Sequence, residues 1–236
     1  MKTFFLSTVL GLSILSCSTS DEPNVPIEPI MEEASITTYN YLPTDFNLDW
    51  NINESNIATN QKYAFGDGGK ITWEEGKNNV NIEVLNADTK QTILSDIKAL
   101  TKDTKYIGFA YGSSAEPNLA IFEKDLTAPQ DGMVRLRLFH ALESTGAVDI
   151  YIGGETVDYK KVTNLSYKAI SEYIEVSLQD MSGLVVYTQT GVMPNDETDI
   201  IRYSGNNSSE EDKTYTHVLA PDLNDFNNSK VYILTQ

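Results

Sequence analysis

Short runs in which apolar and polar residues alternate with a period of two fill most of this chain, and they constrain its fold more than any other feature. The runs are rich in Val, Ile, Tyr and Thr, and most end at Gly, Asn, Asp or Pro. Because alternate residues of a strand face opposite sides, such runs indicate β-strands. Many short strands with close turn signals predict an all-β fold, either an antiparallel sandwich or a barrel. NVNIEVLN (79–86) and MVRLRLFHAL (133–142) are examples.

Two segments allow other interpretations. TKQTILSDIKAL (89–100) places Ile93, Ile97 and Leu100 at helical spacing, but it is equally compatible with a strand, a turn and a second strand. FGDGGK (65–70) has glycines without the spacing of a phosphate-binding loop, so it predicts a tight turn between strands.

An internal repeat predicts two domains. Residues 36–53 match residues 136–153 at an offset of one hundred, so that Asn40 meets His140 and Asp49 meets Asp149. A period of this length is that of a domain, not of a solenoid. We therefore expect two tandem β-sandwich domains. Their predicted ranges are 34–128 and 133–236, with a joint near the Pro and Gly of DLTAPQDG.

The N-terminal pattern predicts an export signal followed by a lipid anchor. Lys2 precedes a short apolar run, Phe4 to Leu15, of signal-peptide length. Residues 14–16 before Cys17, the single cysteine, resemble the bacterial lipobox. The resemblance implies a lipoprotein signal peptide (1–16), fatty acylation of Cys17 and attachment to the cell outer membrane, with the protein periplasmic or surface-exposed. A secretory signal that ends in a chance cysteine is the alternative.

Residues 17–33 carry three prolines and several acids, so we expect an extended, solvated tether. Asp21 and Glu22 resemble the acidic tract of surface-exported lipoproteins of Bacteroidetes-like bacteria. The whole chain of 236 residues has 17 Lys plus Arg against 34 Asp plus Glu, a formal charge of −17. Such a surface repels phosphate backbones, so nucleic acid is not an expected partner.

One motif resembles a known bacterial family. Arg135 and Arg137 alternate with apolar residues in a predicted strand, His140-Ala141 follows, and Val-Asp-Ile-Tyr begins at Val148. This pattern resembles the family called domain of unknown function 4397, although Glu143 and Ser144 stand where the family usually has proline. The resemblance covers 133–190 directly and 35–128 through the repeat. It implies immunoglobulin-like or transthyretin-like sandwiches in secreted or anchored proteins, and it implies no activity.

The matched polar residues predict a structural pair in each repeat. His140 ends one strand and Asp149 lies in the next, so we expect the imidazole to bond the carboxylate across a hairpin. Asn40 and Asp49 would form a neutral version of the same bond. A site that accepts both His and Asn favours a structural role over catalysis.

Catalytic and metal sites find little support in the sequence. It lacks a Gly-x-Ser-x-Gly elbow, and its two histidines, His140 and His217, have no metal-ligand spacing, so we expect no catalytic residues, metal or cofactor. Two carboxylates across a cleft would suffice for glycoside hydrolysis, and the abundant acids leave that open. Asn195–Glu197 and Asp222–Asp225 offer oxygen ligands for calcium, but solvated turns explain both loops better.

We therefore interpret the chain as a non-catalytic, envelope-anchored module that binds or displays a glycan or protein partner. A structural or assembly component of the envelope is the alternative, and a carboxylate-dependent hydrolase at the domain junction is a weaker one. Trp50 and Trp73 could stack on a sugar, but strand alternation places Trp50 in the core.

Overall fold

The structure is a computed structural model that describes residues 29–204, 210 and 213–236. Within these residues it has sixteen β-strands and one short α-helix. The strands of the first half are β1 (Met31–Asn40), β2 (Leu48–Ile52), β3 (Ser55–Gln61), β4 (Gly66–Glu74), β5 (Asn79–Asn86), β6 (Thr92–Ala99), β7 (Lys105–Gly112) and β8 (Pro117–Glu123). The second half contains β9 (Met133–His140), β10 (Val148–Ile152), β11 (Lys160–Leu165), β12 (Ile174–Ser177), α1 (Leu178–Ser182), β13 (Leu184–Gln189), β14 (Ile201–Ser204), β15 (Thr214–Asp222) and β16 (Asp225–Thr235).

The strands form four sheets in two sandwich-like sets, which confirms the predicted all-β fold. In the first set an inner sheet, β4-β1-β7-β8, faces an outer sheet, β3-β2-β5-β6. In the second set the inner sheet is β12-β9-β15-β16 and the outer sheet is β11-β10-β13-β14. The alternating strands of each set place their apolar faces in a shared core. The predicted boundaries at 128 and 133 stay an interpretation of the repeat.

Each inner sheet contains one parallel pair, which the sequence did not predict. β1 runs parallel to β7, and β9 runs parallel to β15 in the corresponding place. The remaining ladders are antiparallel. The chain must cross to the outer sheet and return before β7 can pair with β1, so the pairing depends on contacts distant in sequence.

The two ambiguous segments both form strands. Residues 92–99 are β6, paired with β5, and the predicted turn at 65–70 is wrong because Gly66 begins β4. A Cβ on Gly66 would lie 2.6 Å from the ring of Tyr39, and one on Gly68 would overlap the carbonyl oxygen of Ile36. These glycines therefore let β4 approach β1 closely.

Each sandwich has its own core. Trp50 is fully buried in the first core, and its indole N–H donates to Gln61 Oε1 at 2.8 Å, which confirms the core position expected from alternation. Trp73 is also buried there, with its N–H on Glu32 Oε2 at 2.9 Å. Both indoles serve the fold, since a buried ring with a bonded N–H cannot stack on a ligand.

A third, largely aromatic cluster lies between the sandwiches. Phe109 of β7 and Phe139 of β9 stack with ring centroids 4.9 Å apart, and Tyr111 meets Phe139 edge-on at 5.0 Å. The other buried members are Tyr41, Tyr63, Ile107, Ala141, Val218, Ala220 and Leu234. Because this cluster draws residues from both inner sheets, the sandwiches stack through a continuous apolar interface.

Candidate functional site

Asn40 and His140, the first matched pair of the repeat, each hold the corner that follows a central strand. Asn40 Oδ1 accepts from Leu42 N at 2.9 Å, and His140 Nδ1 accepts from Leu142 N at 3.3 Å. His140 Nε2 donates to Gly146 O at 2.9 Å, an assignment inferred from this bonding network. The Asn amide oxygen and the His Nδ1 thus accept the same backbone hydrogen bond, which explains why the repeat accepts either residue.

Asp49 and Asp149, the second matched pair, each accept from a backbone N–H at an irregular point of the neighbouring strand. Asn60 N lies 2.9 Å from Asp49 Oδ1, and Asn164 N lies 2.9 Å from Asp149 Oδ1. Asn60 and Asn164 have φ values of 52° and 55°, in the left-handed region. Each carboxylate therefore holds a strained backbone turn in place.

A lysine completes each carboxylate site. Lys90 Nζ lies 2.6 Å from Asp49 Oδ2, and Lys160 Nζ lies 2.7 Å from Asp149 Oδ2. Burial raises the pKa of Asp149, but bonds from Lys160 and the backbone outweigh it and lower the pKa overall. Asp49 behaves in the same way, with burial opposed by Asn60 and Lys90, and its pKa is also lowered. Both carboxylates are ionised and fully occupied, so neither is free to act as a base.

The predicted hairpin bond between His140 and Asp149 is wrong, as is its Asn40–Asp49 counterpart. β9 belongs to the inner sheet of the second sandwich and β10 to its outer sheet. In the same way, β1 belongs to the inner sheet of the first sandwich and β2 to its outer sheet. The nine-residue spacing therefore spans a corner between two sheets, which separates the two side chains. Each residue supports its own turn instead.

His217, the second histidine, lies on β15 and is fully buried. Neither ring nitrogen has a hydrogen-bond partner within the part of the chain that the structure describes. Its neighbours at alternate positions, Tyr215 and Leu219, belong to the core of the second sandwich. Burial lowers the pKa of His217 to about 4, so the ring is neutral at pH 7.

The loops at one end of the stacked sandwiches form an open groove of about 330 Å³. Its lining comes from both halves of the chain: Pro43, Gly112, Ser113, Leu142, Glu143, Ser144, Pro221 and Phe226. We call this the loop-end groove. Gly112 has a φ of +103°, and a Cβ there would lie 2.6 Å from Glu116 O, so the turn beside the groove requires glycine.

Aromatic side chains border the loop-end groove. The Phe226 side chain is 37 % exposed, with its ring centroid 5.1 Å from that of Tyr63. Tyr63 Oη donates to Pro221 O at 2.8 Å, and Tyr232 Oη donates to the same oxygen at 3.1 Å. The Tyr63 bond joins a loop of the first sandwich to the second, whereas the Tyr232 bond lies within the second sandwich. Phe65, in the same loop as Tyr63, is 60 % exposed.

Sequence reasoning did not single out this groove. Phe226 lies at the start of β16, whereas Ser113 and Glu143 come from separate loops, and no spacing in the sequence links the three. Only the stacking of the two inner sheets brings these loops together. The departure from the family pattern at Glu143 and Ser144, which both line the groove, was the one available signal.

In the acidic loops considered for calcium, carboxylate oxygens accept hydrogen bonds from nearby backbone and side-chain amides of the same loops. Asp222 Oδ1 accepts from Asn224 N at 2.8 Å, and Asp225 Oδ1 accepts from Asn227 N at 3.0 Å. Asp199 Oδ1 accepts from Asn195 N at 2.9 Å. Within residues 29–204, 210 and 213–236, no cluster of three or more His, Cys, Asp or Glu is arranged to hold a metal.

Cys17, its signal peptide and most of the tether lie outside the described residues, so acylation at Cys17 stays a prediction. Among the helices of the described ranges, none has the length and apolar character needed to cross a bilayer.

These features define the class of the protein: an all-β chain of two stacked sandwiches with an open groove between their loops. The family model described as domain of unknown function (DUF4397) matches residues 34–151, half of the chain, so the chain belongs to the DUF4397 family. The match begins in β1 and ends in β10. It thus covers the first repeat directly, where the sequence had indicated the family only through the second.

Two other comparisons add little. No curated protein matches the chain. Among solved structures, a family 26 carbohydrate-binding module of Amy13K from Eubacterium rectale, in complex with maltoheptaose, is 10 % identical. The match covers 85 % of this chain and 96 % of that one, with a TM-score of 0.24. This score is too low to support a shared fold or ligand.

Proposed function

We propose that this protein is a non-catalytic binding module that the envelope displays through a lipid on Cys17, and that the loop-end groove binds a glycan. The carrying observation is the exposed Phe226 ring in a groove that both sandwiches build. An aromatic face stacks on the apolar face of a sugar ring, while hydroxyl and carboxylate groups bond its hydroxyls. Phe226, Ser113, Ser144 and Glu143 provide these groups.

The direction of β1 supports display away from a membrane. The described chain starts at Pro29, enters β1 at Met31 and reaches the groove just after Asn40. Ten residues of strand place the groove about 30 Å from the point of entry. A tether on Cys17 would therefore leave the loop-end groove on the far side of the molecule from the lipid.

A hydrolase at the junction receives less support from this geometry. Glycoside hydrolysis requires two carboxyl groups about 5 to 9.5 Å apart. Glu143 is the one carboxylate that lines the loop-end groove within the described residues. The groove is also open, whereas electrostatic catalysis is strongest where water is excluded.

Assembly through a free strand edge is also less favoured. β16 is an eleven-residue edge strand, long enough to accept another strand. Its first half is polar, however, with Asn227, Asn228 and Ser229, and Lys230 follows. Polar and charged residues on an edge oppose strand addition.

A glycan array and a pull-down with the full chain test the proposal. We expect binding to a defined glycan set and at least a tenfold loss of affinity in Phe226→Ala, because the stacking surface is removed. Ile97→Ala is the matched control, since Ile97 is an exposed apolar residue of β6 in the first outer sheet. Equal loss in both variants, or capture of a protein through a different surface, would contradict the glycan proposal.

The anchor has its own test. Mass spectrometry of the purified protein should find acyl chains on Cys17, and Cys17→Ala should release the protein from membrane fractions. An unmodified Cys17 thiol would contradict the lipid anchor, but it would leave the proposal of glycan binding in the loop-end groove unaffected.

A further inference from the structure

The lining of the loop-end groove carries charge of one sign. Glu143 is the one ionisable side chain that lines it within the described residues, since the other lining residues are uncharged. Glu143 is exposed, and no cationic side chain of the described ranges forms an ion pair with its carboxylate. A ligand in the groove therefore meets a free carboxylate, which attracts an ammonium group and repels an anion.

A second carboxylate lies on the Gly112 side of the groove. Glu116 N donates to Ser113 Oγ at 3.1 Å, so the turn that carries Glu116 folds back onto a lining residue. Burial raises the pKa of Tyr167 to about 12, and the nearby carboxylates of Glu143 and Glu116 contribute to the rise. The Tyr167 hydroxyl lies 3.2 Å from the position that a Cβ on Gly112 would take. Both carboxylates thus add negative charge on this side of the groove.

Asp222 adds negative charge beside the aromatic border of the groove. It directly follows Pro221, whose carbonyl oxygen accepts from the hydroxyls of Tyr63 and Tyr232. Burial, with Tyr232 and Asp222 adding to it, raises the pKa of Tyr63. The Asp222 carboxylate is therefore close to the phenol whose ring contacts Phe226.

Two lysines approach the same loops, but neither lines the groove. Lys168 Nζ donates to Asn118 Oδ1 at 2.7 Å. Lys230 Nζ lies 5.5 Å from the ring centroid of Tyr232. Because these ammonium groups are held elsewhere, the charge of Glu143 stays available to a ligand.

We propose, on the premise that the loop-end groove binds a glycan, that its ligand is a saccharide with a free amino group. The ammonium of the sugar bonds the Glu143 carboxylate while a sugar ring stacks on Phe226. An aromatic face also attracts a cation, so the ring and the carboxylate favour the same ligand. An N-acetylated sugar lacks this positive charge, and an acidic sugar carries a charge that the groove repels.

Isothermal titration calorimetry of the full chain tests the inference with three oligosaccharides of equal length and linkage, built from glucosamine, N-acetylglucosamine or glucose. The measurements are made below the pKa of the sugar amine. We expect the glucosamine oligomer to bind about tenfold more tightly than the other two, because its ammonium adds a charged hydrogen bond. Added salt should weaken the binding of the glucosamine oligomer most, because salt screens the ion pair.

Glu143→Gln should lose the preference for glucosamine and its salt dependence, because the amide carries no charge. Glu75→Gln is the matched control, which removes the same charge at the opposite end of the molecule. Glu75 is exposed, lies in the turn after β4, and donates its N–H to Ile30 O at 2.8 Å, beside the start of β1. This variant should keep the full preference. Both glutamates are exposed, so both variants should keep the Tm of the wild type.

Equal affinity of the wild type for the three oligosaccharides, or a preference that persists in Glu143→Gln, would overturn the inference and leave glycan binding in the groove standing. A preference lost equally in Glu75→Gln would also overturn it, because the effect would then come from net charge alone. Binding of none of the three would overturn it as well. The proposed function fails with it only if the glycan array also finds no glycan whose binding depends on Phe226.

Discussion

The rings of Phe109 and Phe139 stack with their centroids 4.9 Å apart, although the two residues belong to different sandwiches. Tyr111 and Phe122 also contact Phe139, with centroids 5.0 Å and 5.3 Å away. One ring of the second repeat is thus enclosed by three rings of the first. This contact lies within the apolar interface that joins the two halves.

Phe139→Ala is therefore expected to uncouple the sandwiches. Replacing a buried Phe by Ala costs about 3 to 5 kcal/mol of unfolding free energy. Because the Phe139 ring lies in the interface, we expect most of this loss to weaken the contact between the sandwiches. We expect the wild type to unfold in urea in one transition and Phe139→Ala to unfold in two, as followed by fluorescence and circular dichroism together. Leu136→Ala is the control on the same strand, since Leu136 faces the core of the second sandwich. Leu136→Ala should lower the unfolding free energy and still unfold in one transition. Coincident fluorescence and circular dichroism transitions in Phe139→Ala would contradict this prediction.

The two buried aspartates give a matched pair of substitutions. Asp149→Asn should cost about 3 kcal/mol, because Asp149 accepts from Lys160, Asn164 N, Gly191 N and the Thr190 hydroxyl. Asp49→Asn should cost less, because Asp49 is held by Lys90 and Asn60 N alone among the described residues. Urea unfolding of each variant at pH 7 measures the difference. An equal cost would show that the two additional donors at Asp149, Gly191 N and the Thr190 hydroxyl, contribute nothing.

The same carboxylates predict a loss of stability in acid. Their folded-state pKa values are lowered, so the unfolded chain binds protons first as the pH falls. Their contribution is complete above the unfolded value of about 3.9 and is lost as the pH falls through the folded pKa. Unfolding free energy measured between pH 5 and pH 2 should decline less in Asp149→Asn than in the wild type.

His217 is expected to change the stability of the fold at a higher pH than the two aspartates do. Its folded pKa of about 4 lies below the unfolded value of about 6.5, so the unfolded state gains a proton between them. Stability should thus fall by about 2 kcal/mol between pH 8 and pH 5. His140, whose pKa burial also lowers, adds a change of the same sign. His217→Leu should remove the His217 share, and an unchanged pH profile in that variant would exclude this origin.

Glycines of β4 test the close approach to β1. Gly68→Ala should cost at least about 2 kcal/mol, because the added Cβ would overlap the carbonyl oxygen of Ile36 and push the strands apart. Gly146→Ala is the control, since nothing lies within 4 Å of its added Cβ, and it should change stability by less than about 0.5 kcal/mol. Thermal unfolding of both variants provides the comparison.

Local pattern was enough to predict some elements and not others. NVNIEVLN alternates cleanly and forms β5, while the helical spacing of Ile93 and Ile97 was overridden because that segment pairs with β5 as β6. The glycine-rich start of β4 has the composition of a turn. It forms a strand because it pairs with β1, and glycine is required there because Tyr39 and Ile36 leave no space for a Cβ.

The sequence alone determined the all-β class, the hundred-residue repeat and the family, because period-two alternation and matched residues are local properties of the chain. It also indicated that His140 and Asp149 serve the structure. Only the tertiary structure decided that these two lie in different sheets, that β1 pairs with β7, and that the halves stack through Phe109 and Phe139. The physical reason is that strand alternation shows which residues share a face, whereas the partner of that face depends on how distant sheets meet.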